Sequence, residues 1–169
     1  MELRKALLLL FFACLIGTFV GCQEQVAEGD GGLTMKDTEA IEAAVQDGEE
    51  LKEFVLRAND ELLNKGNLDF ADEVFAMDYG DRGPEGIKEM VTGLRTAFPD
   101  LHVTVGEFVV EGERVAWLRT HSGTHQGEFM GVPATGKAVT WRTMVISRIV
   151  DGKIVEEVGI SDLREQLGQ

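Results

Sequence analysis

Residues Arg119 to Arg142 read R-T-H-S-G-T-H-Q-G-E-F-M-G-V-P-A-T-G-K-A-V-T-W-R. Alternating apolar and polar residues before and after a Gly- and Pro-punctuated middle predict two strands joined by an irregular crossing. The first strand, Val115 to Gln126, ends in two histidines, and the second opens with an aromatic. Downstream, Ala138 to Val150 reads as one long strand, Asp151-Gly152 as a hairpin turn, and Lys153 to Ser161 as its partner. Upstream, Leu101, Val103 and Val105 alternate with polar residues, and Phe108 to Val110 leads to the turn Glu111-Gly112-Glu113.

Before the strands the periodicity changes from two to 3.6. Leu51, Phe54, Val55, Ala58, Leu62 and Leu63 share one face of a helix over Glu50 to Lys65, with Gly66 where a C-cap belongs. Leu68 to Phe75 predicts a short second helix. A third begins at Gly83-Pro84-Glu85, with proline in the first turn and a carboxylate near the positive end, and stops at Pro99. Helices first and an antiparallel meander afterwards give an α+β domain: about three helices packed on a curved sheet, with an interior pocket between the layers. Thr34 to Asp47 is a possible helical lead-in that Gly48 should interrupt.

The N-terminus has a different composition. Arg4 and Lys5 precede an apolar run from Ala6 to Val20, the pattern of a secretory signal and too short for a comfortable membrane span. Phe19-Val20-Gly21-Cys22 resembles a bacterial lipobox, whose cysteine is lipidated. Residues 1–21 are therefore expected to be a signal peptide, residues 22–48 a tether anchored through Cys22, and residues 49–169 the domain. The expected location is the cell envelope as an exported bacterial lipoprotein. Gln23 after the cysteine suggests the outer membrane in a diderm. The other cysteine, Cys14, lies within the leader, so the mature domain has none to pair. A net charge of -14 argues against nucleic acid as a partner, because phosphate binding needs a basic patch.

His121 and His125, four apart on a strand, lie about 13 Å apart at roughly 3.3 Å per residue and cannot share an ion unaided. No metal site is expected. Trp117, Arg119, His121, Gly123 and His125 share a strand face, as do Trp141, Thr143 and Val145. Such faces suit either a small-molecule pocket or aromatic packing in a core or subunit interface. Glu157, Asp81 and Asp162 are the carboxylates best placed for acid/base work, since burial beside apolar walls lets such a group move protons near neutrality.

Gly83-Pro84-Glu85-Gly86, L-R-T-A-F-P from Leu94, G-T-H-Q-G-E-F-M-G-V-P-A-T-G-K from Gly123, R-I-V-D-G-K-I-V-E from Arg148 and Asp162-Leu163 resemble the SnoaL-like ester and polyketide cyclases. These belong to the conical nuclear transport factor 2-like superfamily. The resemblance covers roughly residues 50–168. It implies a cofactor-free, metal-free cyclase that closes a ring by an intramolecular aldol step, and a homodimer formed through the sheet face away from the helices. It further implies a small apolar or polyketide-like ligand in a pocket of Trp117, His121, His125, Phe129, Met130, Trp141, Val145 and Gly159. In an ungapped alignment the family's catalytic acid falls on Gly159 and its accompanying histidine on Val145. Asp81 matches a pocket position, in a loop shorter than usual, and Glu157 stands where many relatives place a histidine. Two readings follow: an acid/base enzyme, a cyclase, hydrolase or isomerase acting on a small apolar ligand, using Glu157, Asp81 or Asp162 with His125, or a ligand-binding or interaction module that kept the fold and lost the chemistry.

Overall fold

The computed structural model describes residues 35–168. The leader and the Cys22 anchor lie outside the described residues. Among the described residues, no helix is long and apolar enough to cross a membrane.

Helix α1 spans Met35–Asn59 and runs without a break through Gly48. The boundary expected at residue 49 therefore falls inside a helix, and residues 35–48 of the expected tether are helical. A single glycine costs about 1 kcal/mol in a helix interior, and the Ala, Glu, Gln and Leu around it carry the helix across. Gly48 is buried at Val110, where a Cβ would lie 3.9 Å from the Val110 Cβ and Cγ1 atoms. The helix then widens into a π turn, Asp60–Asn64, in which the Lys65 N–H donates to the Asp60 carbonyl at 2.9 Å. Arg95 donates to the freed carbonyls of Leu63 and Asn64 at 2.7 and 3.0 Å. The Asn64 side chain clamps both the N–H and the carbonyl of Val103 on the first strand.

Helix α2 is Phe70–Val74 and α3 is Gly83–Ala97, with Pro84 in its first turn. Gly83 has φ +56°, and a Cβ there would meet the Met77 carbonyl oxygen at 2.5 Å, so only glycine starts this helix. The sheet is β1 (His102–Glu111), β2 (Arg114–Thr124), β3 (Ala138–Val150) and β4 (Lys153–Ser161), antiparallel in chain order. Helices packed on one face of a four-stranded antiparallel sheet make this the α+β arrangement that the pattern predicts. β2 ends two residues before Gln126, because the N–H of His125 turns to the Lys137 carbonyl and that of Gln126 to the Ala97 carbonyl. A short α4, Leu163–Gln166, closes the described chain.

One irregularity in the sheet matters for function. Arg148 pairs with Glu156 but Ile149 pairs with Ile154, so Val155 is an extra residue on β4. Side chains on a regular strand alternate faces, and Ile154 and Glu157, three apart, would point oppositely. The bulge at Val155 removes that conflict and turns both toward the helices.

Candidate functional site

Between the helical layer and the sheet lies a cavity of about 50 Å³. A single water needs roughly 10–15 Å³ on the same measure, so the space holds a few water-sized positions or one small organic group. Val55, Ala58, Leu62 and Leu63 from α1 and its π turn form an apolar wall, continued by Ile87 and Val91 of α3 and by Phe75 and Ile154. Met90 is the one lining side chain that is strongly exposed, at 44%, and marks the mouth.

Asn59, Arg119 and Glu157, with the Trp117 indole, bring polarity to this wall. β2 delivers Trp117 and Arg119 by alternation, and the Arg119 guanidinium lies over the indole ring, 4.7 Å from its centroid. Ser147 of β3 stands directly opposite Glu157 of β4 in the register. The buried Trp117 Nε1–H donates to Ser147 Oγ at 3.1 Å, and the Ser147 hydroxyl donates to Glu157 Oε1 at 2.8 Å. The other carboxylate oxygen accepts from the Tyr79 hydroxyl at 3.2 Å. Burial, followed by the adjacent Glu157 charge, raises the Tyr79 pKa, so the phenol stays protonated and keeps donating. Glu157 is thus fixed through both oxygens, each with a lone pair to spare.

Arg119 contrasts with it. No hydrogen bond or ion pair joins its side chain to any described residue, and its Nε is sealed without a partner. Burial lowers its pKa from the usual arginine value, with Glu157 and Tyr79 opposing the shift. The Asn59 amide is likewise unpartnered at its Oδ1 in a residue only 5% exposed.

Of the residues expected to form a pocket, the structure brings Trp117 and Glu157 to this cavity. His121, His125, Phe129 and Trp141 form a separate aromatic stack toward the far end of β2. His121 lies parallel to Trp141 at 4.8 Å, and Phe98 contacts Trp141, His125 and Phe129. Burial and the nearby Arg119 charge depress the His121 pKa to about 4, so this ring is neutral. His125 is fully buried, with Nδ1 3.3 Å from Thr135 Oγ1. Val145 is core, Met130 is exposed in the crossing loop, and Gly159 is exposed opposite Val145. None of these lines the cavity. Asp81 is exposed in the turn before α3. Asp162 accepts the Arg142 N–H at 2.7 Å and holds the chain end to β3. Neither converges with Glu157. Among the described residues, no group of three or more His, Cys, Asp or Glu side chains is placed to hold a metal ion.

Asn59 is the group that sequence reasoning missed. Its spacing from Val55, Ala58 and Leu62 places it on the apolar helical face, and that was the available signal. Arg119 was visible on the Trp117 face but had no assigned role.

Comparison with known proteins agrees with this architecture. Aklanonic acid methyl ester cyclase DauD of Streptomyces sp. (strain C5) is 34% identical over 110 residues, covering 63% of this chain and 60% of that protein. The DnrD enzyme of the same description from Streptomyces peucetius is 36% identical over 95 residues, 56% of this chain and 61% of that protein. The matched region thus spans about 60% of the length of either curated relative. Among solved structures, AclR from Streptomyces galilaeus superposes with a TM-score of 0.61 at 31% identity, over 72% of this chain and 97% of that one. TsrD from Streptomyces laurentii gives 0.62 at 28% identity, over 75% and 96%. These likenesses identify the helices on the four-stranded sheet as the nuclear transport factor 2-like fold. The family model for SnoaL-like polyketide cyclases matches residues 53–169, the segment that carries every residue of the cavity, and the chain therefore belongs to that family.

Proposed function

We propose that the domain is an acid/base enzyme of cyclase type, acting on a small enolisable carbonyl compound with Glu157 as the proton-transferring group. The observation that carries this reading is the convergence of Glu157, Arg119 and Asn59 in one otherwise apolar cavity. Glu157 takes a proton from a carbon beside a carbonyl. The C–H electron pair becomes an enolate, whose carbon attacks a second carbonyl of the same molecule and forms the new C–C bond. The resulting alkoxide recovers the proton from Glu157. The step balances without an external oxidant or reductant, and proton transfer by a positioned group contributes about 10²–10⁴-fold. The test is deuterium uptake at the α-carbon of small 1,3-dicarbonyl esters in D₂O, with aklanonic acid methyl ester included. The wild-type chain accelerates exchange, and Glu157→Gln lowers the rate at least about a hundredfold. Equal rates in the two proteins overturn the assignment.

A second reading has an observation of its own. Val145 and Gly159 face each other in the register, and neither can move a proton, which favours a module that binds without turnover. A ligand retained in native mass spectrometry, with no exchange on any ester, supports that reading.

Two further features belong to the proposal. The sheet face away from the helices carries two apolar rows across the register, Leu118–Met144–Ile160 and Ala116–Ile146–Val158. Met144, Ile146, Val158 and Ile160 are between 43 and 76% exposed, a contiguous patch of the kind two copies cover together. Sedimentation at twice the monomer mass, shifting to monomer in Ile146→Glu, supports a homodimer; a monomeric wild type removes it. The apolar run ending at Gly21-Cys22 supports export with a lipid anchor at Cys22. Incorporation of a labelled fatty acid in a bacterial host, abolished by Cys22→Ser, is the expected result. Labelling that survives the substitution contradicts it.

A further inference from the structure

The charges in the cavity are one guanidinium and one carboxylate, and they are satisfied very differently. Glu157 accepts from Tyr79 and Ser147. Among the described residues Arg119 lies over the face of Trp117 and makes no hydrogen bond, and the Asn59 amide bonds none of them. Groups of this kind, set among Val55, Ala58, Leu62 and Ile87, are expensive to leave unpaired. Arg119 Nε and Asn59 Oδ1 are sealed, so an occupant of the cavity pairs with the terminal guanidinium N–H groups of Arg119 and the amide N–H₂ of Asn59, which are open and bond no described residue.

We propose that the cavity recognises a neutral hydroxycarbonyl compound, its carbonyl oxygen accepting from the Arg119 guanidinium and its hydroxyl pairing with the Asn59 amide. This rests on the acid/base reading above and assigns the substrate end of it. The argument for neutrality is a charge count. Arg119 and Glu157 together sum to zero, so a carboxylate ligand would leave a net negative charge within apolar walls, where poor screening makes like-charge repulsion large. A neutral carbonyl compound adds none. When Glu157 takes the α-proton, one negative charge leaves the carboxylate and appears on the carbonyl oxygen held by Arg119. The net charge of the cavity is unchanged through the step, and the donor is already in place where the charge develops. The hydroxyl follows from Asn59: a hydroxyl oxygen accepts from the open amide N–H₂ without adding charge. The apolar wall takes the carbon skeleton, and the cavity of about 50 Å³ restricts the enclosed part to a small group. On this assignment Arg119 is a catalytic residue that carries the oxyanion, and Asn59 binds the substrate through the substrate's hydroxyl.

The test is binding, and so is independent of turnover. The full chain, uniformly ¹⁵N-labelled and held in detergent, is titrated with 4-hydroxy-4-methylpentan-2-one. Its hydroxyl-free counterpart 4-methylpentan-2-one and the carboxylate 3-hydroxy-3-methylbutanoate are titrated in parallel, following the Arg119 guanidinium ¹⁵N–¹H signal. The hydroxyketone moves that signal and binds roughly three- to tenfold more tightly than the plain ketone. The advantage disappears in Asn59→Leu, which keeps the branched side-chain shape without the amide. The carboxylate binds more weakly than the hydroxyketone in the wild type. In Glu157→Gln, with one negative charge removed, the preference moves toward the carboxylate by on the order of tenfold or more. An Arg119 signal unmoved by the hydroxyketone up to its solubility limit overturns the proposal. So does equal binding of the two ketones, or a carboxylate preference indifferent to Glu157→Gln. The wild-type titrations decide the matter even if a variant fails to fold. If deuterium exchange survives Glu157→Gln while this discrimination holds, the acid/base reading fails and the recognition stands. If exchange is lost but the Arg119 signal is unmoved, the recognition fails alone.

Discussion

Ser147→Ala tests whether Glu157 is held or merely present. Ser147 is fully buried, receives the Trp117 indole N–H at 3.1 Å and gives its own proton to Glu157 at 2.8 Å. Removing the hydroxyl leaves the indole N–H of a buried tryptophan without an acceptor, about 1–3 kcal/mol. It also takes a charge-assisted bond from the carboxylate, about 1.5–3 kcal/mol. Glu157 lines a cavity that admits water, and a solvent molecule replaces part of the second loss. The expected destabilisation is therefore about 2–4 kcal/mol, a large fraction of the roughly 5–15 kcal/mol that holds an ordinary domain folded. Urea unfolding followed by tryptophan fluorescence should show a lower midpoint with an unchanged slope. Trp117→Phe combined with Ser147→Ala should cost less than the sum of the two, because the pair shares one bond. A Ser147→Ala unfolding free energy within about 0.5 kcal/mol of wild type, the scatter of ordinary surface substitutions, would refute the reasoning. In that case the Trp117–Ser147–Glu157 chain does not hold the carboxylate.

His121 is neutral in the fold, its pKa depressed to about 4, so the unfolded chain takes up its proton first. Its contribution is present above about pH 6.5 and is lost as pH falls toward 4, by up to about 3 kcal/mol. Urea midpoints at neutral and acid pH should therefore differ less in His121→Phe than in wild type; an identical acid loss would remove His121 as a cause. Tyr79 has the opposite sense. Its raised pKa keeps the phenol protonated while the unfolded chain ionises, so stability falls as pH rises above about 10. Tyr79→Phe should be less stable at neutral pH and show a shallower alkaline loss, and an equally steep loss would contradict the assignment. Gly48→Ala should raise stability by roughly 0.5–1 kcal/mol, because the helix passes through and the new Cβ meets Val110 at 3.9 Å. A loss would mean that α1 bends there.

The strands were legible because their signals are local. β3 and β4 begin and end where alternation and the Asp151-Gly152 turn place them, and that turn has positive φ at both residues, as a tight hairpin requires. The cavity was less legible, since its walls come from α1 and its π turn, from Phe75 after α2, and from α3, β2 and β4. Alternation showed that Trp117 and Arg119 share a face, and that Glu157 shares one with Gly159. It could not show that both faces close over the same space. Glu157 and Ile154 face inward together only because of the bulge at Val155, and no residue type announces that bulge. The π turn after Asn59 is equally silent. His121 and His125 attracted attention as polar residues on a strand but became packing against Trp141 and Phe98, where aromatic stacking outweighs any use of their nitrogens in a pocket. Asp162 went to a backbone N–H of the neighbouring strand, and Asp81 to an exposed turn.

The most direct measurement compares the three carboxylates singled out by the sequence in one assay. Deuterium uptake on the most reactive 1,3-dicarbonyl ester is measured for Glu157→Gln, Asp81→Asn and Asp162→Asn alongside wild type. Only Glu157 lines the cavity with Arg119, so Glu157→Gln should lose at least about two orders of magnitude while the other two stay within a factor of a few. Exchange that survives Glu157→Gln and vanishes in Asp81→Asn or Asp162→Asn would contradict the account and move the chemistry out of this cavity.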